Sequence, residues 1–194
     1  MVQEMIKGHM VVHSGIGNRM TLKFGNFQIR EFQQNDVEAL IKYANNYAVS
    51  KFMRDPFPYP YKKENAVQWI DYIKKNDLTL SLAIANEMEL IGGIGAIPYD
   101  DVHRYSAEVG FWLGEPFWNR GIISKALKTF CNYLFTNHNF NRLTANVFEG
   151  NEASRRVLEK TGFVLEGTQR KSVFKENKFV DHYIYGLLKE DFKI

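Results

Sequence analysis

The chain has 194 residues, of which 45% are hydrophobic and 24% are charged, which is ordinary for a globular protein and enough for one domain with a full core. No window approaches the roughly 18 consecutive apolar residues of a membrane span, so we expect a soluble, cytoplasmic protein. The net charge of +3 arises from 25 Lys and Arg spread along the sequence, which gives no electrostatic case for nucleic-acid binding but suits an anionic ligand.

The first twenty residues lack the apolar stretch of a signal peptide and any clear periodicity. We therefore expect residues 1–20 to be a disordered or cloning-derived leader, ahead of a single domain over residues 21–194. His9 and His13 lie four apart in this leader, but no third ligand is nearby, so the sequence predicts no metal site.

Hydrophobic alternation predicts an antiparallel meander in the first half of the chain. Residues 24–32 form a first strand, and Asn35 caps the next helix together with Glu38, as in a capping box. Three prolines exclude regular structure from residues 54–61, which we interpret as an aromatic-lined loop. A helix over residues 63–75 and strands over residues 80–84 and 90–97 follow.

The most informative stretch is residues 107–126, where a strand pattern ends in a loop and an apolar-periodic helix begins at Ile122. Gly121 allows backbone N–H groups to face outward at the helix start, where the helix dipole attracts phosphate, and Arg120 adds a full positive charge. The chain has no GxxxxGK[ST] motif, and Gly93 and Gly95 are followed by Pro98 instead of a third glycine. These observations disfavour a nucleotide-triphosphate enzyme and a dinucleotide site.

The second half of the chain completes a mixed α+β sheet flanked by helices. Cys131 lies on the apolar side of the helix that begins at Ile122, so we expect a buried structural thiol; a single cysteine also excludes an internal disulfide. The further elements are a strand over residues 142–148, a helix over 151–160 ended by Gly162, a strand over 163–165, and a hairpin of residues 173–174 and 179–188.

Three stretches, AEVGFWL, FWNRGIISKAL and NEASRRVLEKTGF, resemble the GNAT superfamily of N-acetyltransferases. In particular they resemble its branch of ribosomal-protein N-terminal acetyltransferases (RimJ/RimL-like), over about residues 22–192. The resemblance implies the GNAT fold, a central mixed sheet of about seven strands whose fourth and fifth strands splay to admit acetyl-CoA. The sequence departs from the family loop at Trp118, at Ile123, where a small residue is usual, and at Lys125, where this branch commonly has Glu.

The resemblance also implies which residues bind the cofactor. The start of the helix at Ile122 would hold the pyrophosphate, the end of the preceding strand would pair with the pantetheine arm, and Asn151 would reach the pantetheine amides, although Asn is also a good plain N-cap. Arg155, Arg156, Arg170 and Lys171 are candidates for the adenosine phosphates, or solvated helix charges. The expected cofactor-binding residues are Phe111, Trp112, Leu113, Asn119, Arg120, Gly121, Ile122, Ile123, Ser124, Lys125, Asn151 and Ser154.

Glu108 and Ser154 are the catalytic candidates. Glu108 matches the strand carboxylate that serves as general base in histone-acetylating relatives, and its alternative role is a solvated edge charge. Leu158 stands where many relatives have a tyrosine that protonates the thiolate, and Ser154 lies one turn earlier on the same helix face. We therefore expect Ser154 to donate a hydrogen bond to the leaving sulfur, the alternative being an ordinary helix residue.

The resemblance implies that the loop over residues 54–61 borders the acceptor cleft, where Phe57, Tyr59 and Tyr61 would shape the pocket; the alternative is a rigid surface lid. The resemblance thus implies an acetyl-CoA-dependent N-acetyltransferase that acts on a protein N-terminal α-amine or a small primary amine by direct attack in a ternary complex. The alternative is a catalytically silent acyl-CoA-binding protein, for which Ile123 is the best evidence. We expect no metal and no nucleic-acid partner, and a homodimer stays open.

Overall fold

The computed structural model describes residues 20–75 and 80–193. The predicted leader, with His9 and His13, lies outside this part of the chain apart from Met20. Within the described residues, the α-helices span Val37–Ala44 (α1), Tyr47–Ser50 (α2), Lys63–Lys75 (α3), Ile122–Asn137 (α4) and Glu152–Thr161 (α5). The strands span Thr21–Phe24 (β1), Phe27–Arg30 (β2), Leu80–Ala85 (β3), Leu90–Pro98 (β4), Ser106–Leu113 (β5), Arg142–Phe148 (β6), Val164–Lys175 (β7) and Lys178–Leu188 (β8).

These strands form one mixed sheet in the order β1-β2-β3-β4-β5-β6-β8-β7. Every neighbouring pair is antiparallel except β5 and β6, which run parallel because α4 crosses over between them. The α+β class, with helices flanking a mixed sheet, is confirmed.

Helices cover both faces of the sheet, and each face has its own core. On one face, α4 and α5 bury a cluster that includes Leu127, Phe130, Leu134 and Leu158 against the strands. On the other, α1 and α3 bury a cluster that includes Leu40 and residues of β3 and β4. Cys131 is fully buried in the first cluster, as predicted.

Two predictions near the start of the sheet were wrong. Residues 24–32 do not form one strand, because Gly25 adopts a left-handed φ of 55° and reverses the chain between the end of β1 and β2, which is the part of the predicted range that is a strand. The N-cap of α1 is Asp36, not Asn35. Asp36 is buried, and its hydrogen bonds offset the cost of burying a charge. Its carboxylate accepts two from Arg30, at 2.7 and 2.8 Å, and one from the backbone N–H of Gln33 at 2.8 Å.

The end of the chain also differs from the prediction. The segments predicted separately over residues 163–165 and 173–174 belong to one long strand, β7, which pairs with β8. The register shifts between Leu165 and Gly167 and again between Gln169 and Val173. The first shift adds one residue to β7 relative to β8, which moves the following side chains to the other face, and the second adds two. Residues 166–172 between the two predicted segments are all polar or Gly, so no apolar alternation marks the strand although it continues.

The sheet opens between its two parallel strands. β5 pairs with β6 only at Ser106, Ala107 and Glu108, which face Arg142, Leu143 and Thr144. β5 continues to Leu113 along β4, whereas β6 continues along β8. The predicted splaying of these two strands, the fourth and fifth of the expected count, is therefore present.

Candidate active site

A cavity of about 1070 Å³ lies where β5 and β6 diverge. Along β5, Val109 and Leu113 are buried in the core beneath α4, whereas Trp112 packs with the core beneath α1 and α3. Since successive strand residues face opposite sides, Glu108 and Gly110 share the face of Trp112. The cavity is lined from both faces, so it connects the α4–α5 side of the sheet with the α1–α3 side.

On the α4–α5 side, the first turn of α4 offers main-chain groups. Gly121 precedes the helix with a left-handed φ of 69°, and a Cβ added there would meet no atom within 4 Å. No side chain of the described residues caps this helix end, so its first amides are free to bind an anion. The indole Nε1 of Trp118 donates a hydrogen bond of 2.7 Å to the carbonyl of Leu113, which fixes the loop against the end of β5.

The start of α5 lines the same side of the cavity. Asn151 caps the helix, because its Oδ1 accepts a hydrogen bond from the backbone N–H of Ser154 at 3.2 Å. The hydroxyl of Ser154 lies at the cavity wall and has no hydrogen-bond partner within the described part of the chain. Leu158 is 1% exposed and belongs to the core. The described residues thus leave the Ser154 hydroxyl available to a ligand.

Most of the expected cofactor-binding residues lie at the cavity, but some do not. Arg120 and Lys125 are exposed and lie outside the lining. Arg155 is also outside it, because its guanidinium donates hydrogen bonds to Tyr185 and Glu152, each at 3.0 Å. Arg156 and Lys160 do line the cavity, whereas Arg170 and Lys171 lie away from it on β7. The expected cofactor residues that line the cavity are Phe111, Trp112, Leu113, Asn119, Gly121, Ile122, Ile123, Ser124, Asn151 and Ser154.

On the α1–α3 side, aromatic rings form the wall. Phe57 packs on Tyr61, with ring centroids 5.2 Å apart, and on Trp112 at 5.7 Å. Burial raises the pKa of Tyr61 to about 12, so its phenol stays protonated. Trp112 lies over Gly93, where an added Cβ would meet its Nε1 at 2.5 Å. Tyr59 is not part of the wall; it packs on Tyr47 and is 55% exposed.

Glu108 is the one acidic side chain among the described residues that line the cavity. Its Oε1 accepts a hydrogen bond from Arg54 at 2.5 Å, and its side chain is 18% exposed whereas that of Arg54 is 60% exposed. This ion pair ties the loop over residues 51–62 to β5 beside the cavity. Because Arg54 is solvated, the pair is weak enough to exchange with another cation.

The sequence interpretation missed Arg54 and His182, both of which line the cavity on the side of Glu108. His182 lies on β8 opposite Phe148, with ring centroids 5.5 Å apart. No spacing in the sequence relates His182 to Glu108. The two residues share this side of the cavity because β8 lies between β6 and β7 in the sheet and pairs with β6. Arg54 lay within the predicted loop, but its partner is 54 residues away.

Other chemistries have little support in the described residues. Burial raises the pKa of the Cys131 thiol, which keeps the sulfur protonated and out of reach of a substrate. In residues 20–75 and 80–193, no cluster of three or more His, Cys, Asp or Glu side chains is arranged to bind a metal ion. Across the same residues, none of the helices combines the length and apolar character needed to span a bilayer.

Comparisons with known proteins agree on one family. Residues 26–164 match the model of the acetyltransferase (GNAT) domain. The chain is 29% identical over 180 residues to the uncharacterized N-acetyltransferase p20 of Bacillus licheniformis, covering 89% of this chain and 98% of the relative. It is 30% identical over 102 residues to the ribosomal-protein-serine acetyltransferase of Escherichia coli, covering 53% and 56% of the two chains.

A solved structure has the same fold. RimL, a ribosomal L7/L12 alpha-N-protein acetyltransferase in complex with coenzyme A, superposes with a TM-score of 0.78 over 87% of this chain and 98% of its own. At 19% identity, this likeness concerns the fold alone.

Proposed function

The chain belongs to the GNAT acetyltransferase family, which makes it an acetyl-CoA-dependent N-acetyltransferase, and we propose that it transfers the acetyl group directly to a primary amine. The acceptor is the α-amine of a peptide or a small molecule with a single amine. The observation that carries the proposal is the cavity between β5 and β6, which has main-chain N–H groups on one face of the sheet and the carboxylate of Glu108 on the other.

Acetyl-CoA fits the α4–α5 side of the cavity. The open space beside Gly121 leaves room for a pyrophosphate against the first amides of α4. Beyond Glu108, no strand of residues 20–75 and 80–193 pairs with β5 on its β6 side, so its main chain there is available to pair with an extended pantetheine arm. Asn151 uses Oδ1 as a cap, which leaves its amide N–H groups for the same arm. When bound, acetyl-CoA supplies the activated acetyl group as a thioester.

Glu108 and Ser154 divide the proton chemistry. Glu108 attracts the cationic amine and assists its deprotonation, while Ser154 donates a hydrogen bond to the departing sulfur. The ammonium first loses one proton, which ends in solvent. The free amine nitrogen then bonds to the acetyl carbon as the carbon–sulfur bond breaks, and the second proton lost from nitrogen balances the proton gained by the thiolate. Since Cys131 is buried, no described cysteine can carry the acetyl group, which favours direct attack.

The charge of the lining supports an acceptor with one amine. Lys51 and Arg54 accompany Glu108 on the acceptor side, so a polyamine would bring several charges to a wall with one carboxylate. Freeing an α-amine with a pKa near 8 costs about 1.4 kcal/mol at pH 7, whereas a lysine amine with a pKa near 10.4 costs about 4.6 kcal/mol. Because the single carboxylate of the described lining, Glu108, is already paired with Arg54, the site suits the α-amine, which costs less to deprotonate. The names of the ribosomal-protein relatives point to the same acceptor class.

The test is release of the CoA thiol from acetyl-CoA against peptides with different first residues, small monoamines, polyamines and aminoglycosides. We expect acceptor-dependent release with peptides or monoamines and none above background with polyamines. Titration calorimetry with acetyl-CoA alone is the control. Saturable binding without turnover on any amine would favour the silent acyl-CoA-binding protein instead.

A further inference from the structure

His182 shares a face of the sheet with Glu108. On β6, Thr144, Asn146 and Phe148 alternate along one side of the strand, and Thr144 is the register partner of Glu108. Phe148 is the register partner of His182 on the other side of β6. Directly opposed residues in a sheet project from the same face, so both side chains lie on the acceptor side of the cavity, which both line.

The imidazole of His182 has an unused polar atom. Its Nε2 is shielded from solvent and has no hydrogen-bond partner in the described part of the chain. Buried polar groups in native proteins are almost always paired, so an unpaired one beside a cavity points to a role in function.

Two charged groups act on this imidazole. Burial lowers the pKa of His182, the carboxylate of Glu108 raises it, and Arg54 lowers it. Its register partners, Phe148 on β6 and Gln169 on β7, carry no titratable group. Asp181, next to it on β8, accepts a hydrogen bond from the backbone N–H of Lys171 and pairs with the Lys171 ammonium. At neutral pH the imidazole is therefore uncharged. The carboxylate of Glu108 would stabilise the imidazolium that forms when the ring takes up a proton.

We propose that Glu108 and His182 form the proton-accepting pair of the acceptor side, in which the imidazole of His182 holds the proton that the acceptor ammonium gives up. The proposal rests on the proposed function, because it concerns the same amine. One proton moves from the ammonium nitrogen to Nδ1 of His182, because Nε2 is covered by protein atoms, and the ring becomes an imidazolium. After the product leaves, the imidazolium releases that proton to solvent, and no further reactant is needed.

The first test measures the pKa of His182 by NMR titration of the free enzyme, without any acceptor. The signal is identified by its loss in His182→Asn. We expect Glu108→Gln to lower this pKa, because the neighbouring negative charge is removed, and Arg54→Gln to raise it, because a positive charge is removed. If neither substitution moves the pKa, the two groups are not coupled and the proposal is overturned.

The second test measures kcat/KM against pH with an acceptor found in the panel. We expect His182→Asn to lower kcat/KM at pH 7 by about 10²-fold or more, while acetyl-CoA affinity stays unchanged. The wild-type rate should fall as pH drops below the pKa found by NMR, because protonated His182 accepts no further proton. Arg54→Gln should move this acid limb upward, together with the NMR pKa. The shift of the acid limb in Arg54→Gln is measured without His182→Asn, so it tests the proposal even if His182→Asn does not fold, and an unmoved limb would overturn the proposal.

His138 provides a matched control. Its Nε2 is also buried without a partner and burial lowers its pKa, but it packs between Tyr133 and Phe140 at the end of α4, away from the cavity. We expect His138→Asn to leave kcat/KM and the acid limb unchanged. An unchanged rate and acid limb in His182→Asn would overturn the proposal. If the wild-type protein does not bind acetyl-CoA, the proposed function is overturned instead.

Discussion

The two faces of the sheet around the β5–β6 opening are built from different kinds of groups. On the α4–α5 face, the groups offered to a ligand are main-chain amides at Gly121 and beyond, supplied by one continuous loop and helix. On the opposite face they are side chains, Arg54, Glu108 and His182, from three distant segments. A site made from the backbone tolerates exchange of side chains, whereas a site made from side chains changes its chemistry with each one.

Ser154 departs from this comparison, as Asn151 does, because it offers a side chain on the face that otherwise offers main-chain groups. If its hydroxyl donates a hydrogen bond to the leaving sulfur, Ser154→Ala should lower kcat by about 10²- to 10⁴-fold and leave acetyl-CoA affinity nearly unchanged. Steady-state kinetics and calorimetry measure the two quantities. Ser172→Ala, on exposed β7, is the control and should alter neither. A loss in kcat smaller than about threefold would show that Ser154 is only a helix residue.

Gly121 tests the backbone-based face directly, because it has no side chain and contributes only main-chain groups at the start of α4. We expect Gly121→Val to weaken acetyl-CoA binding by about tenfold or more, which corresponds to about 1.4 kcal/mol, since its branched side chain enters the space left for the pyrophosphate. Calorimetry measures the change. Gly25→Val is the matched control: Gly25 also has a left-handed φ and open space at its Cβ, but lies in the β1–β2 turn. Equal affinities in the two variants would mean that Gly121 does not border the ligand.

The difference between the faces also explains what the sequence could predict. The α4 start was predictable because Gly121, Arg120 and the apolar period that begins at Ile122 are contiguous. The bounds of α3 were predicted to the residue, since its apolar period and the prolines before it are local signals. The proposed roles of the contiguous residues still await the experiments above.

The acceptor face could not be predicted in the same way. The field of Glu108 at His182 requires the pairing of β6 with β8, and the Arg54–Glu108 ion pair requires a loop to fold back over β5. Neither relation leaves a periodic signal in the sequence. The full length of β7 could not be predicted either. An apolar pattern reports which way side chains point, whereas β7 continues through its register shifts by main-chain hydrogen bonds to β8.

The central claim is that donor and acceptor occupy opposite faces of the sheet and meet in the opening between β5 and β6. The direct test is the initial rate of CoA release with acetyl-CoA and the acceptor varied together. The account expects double-reciprocal lines that intersect, because both substrates must be bound before the acetyl group moves. Parallel lines, the pattern of a covalent acetyl-enzyme, would contradict it.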